Sequence, residues 1–133
     1  MRFDTRLSSV SGIERGRSFE PKPRNVRAAR EFVADTLRHE GFGGDSDVVL
    51  LLTSELVTNA VRHAATPFEI KVDVEADKVR VAVIDEDVEH PPEVRHPGPD
   101  ETNGRGLLLV DQLAAVWGSH RDGHHKSVWF TLA

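Results

Sequence analysis

Residues 51–64 read LLTSELVTNAVRHA, and what this stretch folds into decides how the rest of the chain is read. Its apolar residues recur at three- and four-residue spacing, the period of an α-helix. Projected at about 100° per residue, Leu56, Val57, Ala60, Val61 and Ala64 share one broad face, and Glu55, Asn59, Arg62 and His63 share the opposite one. Toward the N-terminus the polar stripe continues as Val48, Leu51 and Leu52, so this face is not simply solvated. Glu55 and Asn59 are i, i+4 neighbours, with Cβ atoms ~6 Å apart. A carboxylate and a carboxamide oxygen at that separation can serve a water, a hydroxyl or a hard cation such as Mg²⁺. The helix alone leaves a solvent-facing polar stripe as an equal alternative.

Upstream, NVRAAREFVADTLRHEG (25–41) places Val26, Ala29, Phe32 or Val33, Thr36 and Leu37 at helical spacing, with Asn25 as the expected cap and Gly41 as the stop. GFGGDSD is loop, and Asp45 or Ser46 can cap a second helix running from Val48 to about Ala64. Downstream, FEIKVDV alternates without a fault and KVRVAVIDED returns after EAD, the pattern of a hairpin with one face buried. From Glu86 to Arg105 the composition turns to Pro, His, Gly and acid, a long loop of the kind that is usually functional or disordered. GLLLVDQLA then reads as a short third helix, and AVWGS and KSVWFTLA as two strands around the turn HRDGHH. This order predicts helices gathered on one face of a mainly antiparallel sheet. Residues 1–18 read as a flexible leader contributing at most a short edge strand near Phe19, and residues 19–133 as the single domain.

Composition narrows the function classes. A chain of 133 residues with 38% hydrophobic residues is the size of one soluble domain, and no apolar run approaches a membrane span. No apolar h-region follows the N-terminus, so no secretory signal is expected. The absence of cysteine removes disulfides and thiolate chemistry and suits a cytoplasmic protein. A net charge of −5 without a basic stripe argues against direct nucleic-acid binding.

Two further stretches carry chemistry. Continuing Val79, Val81 and Val83 by two places lands on Asp85, so its carboxylate points to the face the valines bury unless the strand has already ended. Pointing inward, it needs donors, and an amino group on a ligand would supply one. In NGRGLLLV, Gly104 and Gly106 bracket Arg105 just before an apolar helix, whose first amides attract phosphate; a solvated loop arginine is the plainer reading of Arg105. His124 and His125 lie in a turn without helical pairing, which disfavours zinc. Neither a G-x-S-x-G elbow nor a G-x-x-x-x-G-K-[ST] loop is present.

Taken in order, ELVTNAVRHA on a helix, VAVIDED at a strand end, a long loop, NGRGLLLV and a final strand KSVWFTL resemble the GHKL nucleotide-binding superfamily, over about residues 19–132. The wording SELVTNAVRHA is most similar to its single-domain bacterial anti-sigma-factor serine/threonine kinases. The resemblance implies an α+β two-layer sandwich, the Bergerat fold, with helices on one face of a mainly antiparallel mixed sheet. It implies ATP and Mg²⁺ as cofactors. Glu55 would activate the attacking hydroxyl, Asn59 would be the Mg²⁺ ligand, and Asp85 would receive the adenine amino group. Gly104, Arg105 and Gly106 would belong to the lid over the nucleotide, Leu107 would begin the helix behind the phosphates, and His63 and Ser127 would complete the nucleotide-binding set. The implied partners are a sigma factor and an anti-sigma antagonist protein that accepts the phosphoryl group, with a homodimer possible. The alternative from another class is a nucleotide-gated module that sequesters a regulator without chemistry. Two positions depart from the family pattern: Asp85 is followed by Glu86, Asp87, Val88 and Glu89 where D-x-G-x-G is common, and Ser127 has the parity opposite to Val128 and Phe130.

Overall fold

The computed structural model describes residues 13–89 and 106–132. In chain order these form β1 (Ile13–Phe19), α1 (Arg24–His39), α2 (Ser46–Asn59) continued by a π-turn (Ala60–Ala64), β2 (Phe68–Glu75), β3 (Lys78–Asp85), α3 (Gly106–Leu113), β4 (Val116–Arg121) and β5 (Lys126–Leu132). The five strands form one sheet in the order β1-β2-β3-β5-β4. Every pairing is antiparallel, where a mixed sheet was expected. The reason is the second hairpin: the connection through α3 brings β4 back in the direction of β3, but β5 folds between them, so the parallel pair never touches.

The first strand is longer than its sequence suggests. Ile13–Phe19 pairs residue for residue with Val74–Phe68, so the sheet already begins within the expected leader. IERGRSF lacks an alternating apolar pattern because most of this edge strand faces water.

Both long helices are held by an apolar stripe and a defined end. In α1, Ala29, Val33, Thr36 and Leu37 are buried, and the Thr36 hydroxyl donates to Phe32 O at 2.9 Å. Asn25 does not cap it: the helix starts one residue earlier behind Pro23, and the Asn25 amide donates to Glu20 O at 2.9 Å. Gly41, at φ 70°, supplies the left-handed turn that ends the segment. Asp45 caps α2 as expected, accepting from Val48 N at 3.2 Å. At its other end α2 widens: the Ala65 amide reaches back five residues to Ala60 O, and Ala65 closes the turn in the left-handed region at φ 54°.

The core lies between the helices and one face of the sheet, where Phe68, Ile70, Val72, Val81 and Phe130 meet Val33, Val49, Leu52, Val57 and Val110, all 2% exposed or less. Trp117 ties α3 to the sheet, its indole Nε1 donating to Asp111 Oδ1 at 2.8 Å. The opposite face carries a buried charged rung, Glu14–Asp73–Arg80, directly paired across β1, β2 and β3, with Arg80 only 4% exposed. Beside it Trp129 lies over Gly118, where a Cβ would come within 2.8 Å of the indole.

Candidate functional site

One wall of the site is α2. Val49, Leu52, Leu56 and Val57 anchor it in the core, which leaves Glu55 and Asn59 half-buried on the adjacent face within the regular part of the helix. Burial pushes the Glu55 carboxyl above its ordinary range. His63 falls in the π-turn and is exposed. Glu55 and Asn59 thus lie one turn apart within the regular helix, and His63 lies beyond it in the wider turn.

The end of the sheet supplies a second group. Asp85 is the last residue of β3, 4% exposed, on the face covered by the helices, as its parity predicts. Its ladder partners are Phe68 on β2 and Lys126 on β5. The Lys126 ammonium lies 3.7 Å from Asp85 Oδ2, and the Asp87 amide donates to Asp85 Oδ1 at 2.9 Å. Burial raises the Asp85 carboxyl from its usual range; the Asp87 amide and the Lys126 charge oppose that rise. The chain beyond is fixed without glycine: Glu86 N donates to Thr66 Oγ1, Glu89 N to Asp87 Oδ1, and Arg121 to Val88 O.

Ser127 does not join this group. The β3–β5 ladder runs without a bulge, pairing Ser127 with Ile84 on the face away from the helices. Lys126 takes the position beside Asp85 instead. Sequence reasoning passed over it, although stepping back by two from Phe130 and Val128 lands on Lys126 with the buried parity.

The third part is the start of α3. Gly106 is its first residue, and Leu107 is 4% exposed, its side chain packed in the core. What Leu107 offers a ligand is therefore its backbone at a helix N-terminus. Gly104 and Arg105 lie outside the described residues.

Chemically, a half-buried carboxylate can take a proton, a neighbouring carboxamide can present one oxygen to a hard cation, and an inward carboxylate can accept from an amino group. Among the described residues no group of three or more His, Cys, Asp or Glu could hold a metal by itself. The Asn59 oxygen fits a cation that keeps waters and shares its other ligands with phosphate, the habit of Mg²⁺. Asp122 in the β4–β5 turn accepts from the His124 and His125 amides, a turn role for that acid. No described helix is long and apolar enough to cross a membrane.

Comparison with known proteins bears on this arrangement. A family model described as the histidine kinase-like ATPase domain matches residues 19–132. Among solved structures, the RsbU and RsbW domains of Rv1364c from Mycobacterium tuberculosis superpose with a TM-score of 0.64 over 90% of this chain at 17% identity, which shows a shared fold. The present chain spans about a third of that structure's length, the match covering 32% of it. No curated protein matches the chain.

Proposed function

The chain belongs to the histidine kinase-like ATPase domain family, and from that premise we propose that it is an Mg·ATP-dependent serine/threonine protein kinase acting as an anti-sigma factor or a similar cytoplasmic regulator. Its substrate in this reading is a small antagonist protein, and its second partner is a sigma factor. The observation that carries the proposal is the half-buried Glu55–Asn59 pair one turn apart on α2, on a fold whose sheet end turns Asp85 to the same helix-covered side.

Phosphoryl transfer asks chiefly for positioning and charge neutralisation. Asn59 would hold the magnesium that comes with the nucleotide, and that ion would neutralise phosphate charge. Asp85 would accept from the adenine amino group, and the first amides of α3 would face phosphate oxygens. Glu55 would take the proton of the partner's hydroxyl as that oxygen bonds to the γ-phosphorus and ADP leaves. A carboxyl raised by burial is a stronger base than an exposed one, which suits the role.

The test is transfer of labelled γ-phosphate to candidate antagonist proteins. Glu55→Gln is expected to cut transfer by at least ~100-fold, the usual worth of a positioned base, while ATP binding followed by calorimetry persists. Full transfer by that variant would refute the role of Glu55. A second reading, a nucleotide-gated module that sequesters a regulator without chemistry, draws on the acid-rich segment Asp85–Glu89, which departs from the D-x-G-x-G pattern common in the family it resembles. ATP uptake by a protein that phosphorylates no partner would favour it.

A further inference from the structure

Strand β2 begins immediately after Pro67, and that proline interrupts the sheet next to Asp85. The last rung of the β2–β3 ladder pairs Phe68 with Asp85, so the next two residues in register are Pro67 and Glu86. Proline has no N–H to give to such a pair. A side chain stands in the gap: the Glu86 amide donates to Thr66 Oγ1 at 3.1 Å, and the same hydroxyl donates to Pro67 O at 3.2 Å. Thr66 therefore carries the cross-strand connection one step past the end of the backbone ladder. Its place in the chain joins two parts of the site. Ala65 closes the π-turn that ends α2, and Thr66 follows it directly. One hydroxyl thus ties the exit of the helix that carries Glu55 and Asn59 to the residue that follows Asp85. One position further on the chain folds back, the Asp87 amide donating to Asp85 Oδ1 at 2.9 Å. An Asp that accepts the amide two residues ahead makes a local turn. That turn fixes the rotation of the carboxylate while the peptide between them is held, and Thr66 holds that peptide.

We infer that Thr66 is a positioning residue for adenine recognition: by anchoring Glu86 it keeps the Asp87 amide on Asp85 Oδ1, and so aims the Asp85 carboxylate at the amino group of the base. The inference rests on the nucleotide-binding reading above and deepens it. Thr66 acts through Asp85 and itself touches no ligand. Its oxygen is what the role requires. Valine has nearly the same shape but would leave the Glu86 amide without this acceptor, whereas serine keeps the oxygen and gives up only the methyl group. With the anchor gone, the segment after Asp85 is free to turn and the carboxylate turns with it. The loss then falls on the contact with the amino group, and the rest of the nucleotide is held as before.

The experiment is a calorimetric titration of the full chain with Mg²⁺ and two probes, ATP and purine riboside triphosphate, which is ATP without the 6-amino group. The ratio of their affinities isolates what the amino group contributes. On the unaltered protein ATP is expected to bind at least ~10-fold more tightly, the worth of one hydrogen bond to a charged acceptor. In Thr66→Val the ratio is expected to fall to roughly 3-fold or less, since a misaligned hydrogen bond loses much of its strength, with the affinity for purine riboside triphosphate nearly unchanged. Thr66→Ser is expected to keep the ratio of the unaltered protein. A full ratio in Thr66→Val overturns the role of Thr66, and so does an equal weakening of both probes, which a merely structural role would give. Equal binding of the two probes by the unaltered protein overturns the inference while leaving nucleotide binding intact. Absence of heat with either probe overturns it together with the reading beneath it. Urea unfolding checks that the valine variant folds; if it does not, Thr66→Ala, which also lacks the hydroxyl, takes its place with the same expected ratio.

Discussion

The sheet buries two sets of opposed charges, and they are built differently. On the face away from the helices, Arg80 sits in mid-sheet on one rung with Asp73 and Glu14, its Nη2 3.7 Å from Glu14 Oε2. On the helix-covered face, Lys126 and Asp85 sit at the last rung, where the chain leaves the sheet into the acidic segment. The mid-sheet guanidinium is flanked by two carboxylates on neighbouring strands, and burial still lowers its pKa to about 10 against their pull. The terminal ammonium lies 3.7 Å from the Asp85 carboxylate on the next strand. The contrast separates a fastening in the middle of the sheet from one at its end. Position decides it: a rung between strands is enclosed on both sides, whereas the end of a strand opens toward the loops that carry function.

The largest expected effect breaks the first set. Arg80→Met should leave two carboxylates beside each other without their cation and cost about 3–5 kcal/mol of stability, read from urea unfolding. A loss under 1 kcal/mol would mean that the rung does not fasten the sheet.

Lys126→Met should cost less, about 1–3 kcal/mol at neutral pH, because Asp85 keeps the Asp87 amide. Its pH dependence sharpens the comparison. The folded-state pKa of Asp85 is already raised, by burial first, and removing the lysine raises it further. A carboxyl raised on folding stabilises the fold fully below its unfolded pKa, about 4, and loses that contribution as pH rises through the folded value. The deficit of the variant should therefore be widest near pH 7 and narrow toward pH 4; thermal unfolding across that range checks it, and a deficit independent of pH would assign the loss to packing.

The smallest effect lies outside both pairs. Ala65 closes α2 at φ 54°, a conformation that costs an L-residue and not glycine. Ala65→Gly should add about 0.5–1 kcal/mol without altering either charged set, so unchanged pH profiles in that variant calibrate the other two.

Much of this arrangement can be read from the chain alone. The strict alternation of FEIKVDV and KVRVAVID gave the central hairpin and turned Asp85 inward, and the i, i+4 spacing paired Glu55 with Asn59. Three features were hidden for identifiable reasons. β1 has no alternating apolar signal because it is an edge strand with water along most of it. The π-turn after Asn59, in which His63 falls, has no compositional mark, since AVRHA would continue an α-helix equally well. Lys126 is hidden because lysine is almost never expected inside, whereas Ser127, which the resemblance implies, faces the other way. In each case local pattern was overridden by where the segment sits in the sheet or on the helix.

The bond from the Trp117 indole to Asp111 carries a practical consequence. It couples one of only two tryptophans in the chain to the helix that begins where the long acidic and glycine-bearing segment ends. With Trp129→Phe silencing the second fluorophore, emission from Trp117 becomes a built-in optical gauge of how firmly that helix is seated, and its colour and lifetime can be followed in real time as nucleotide is mixed in.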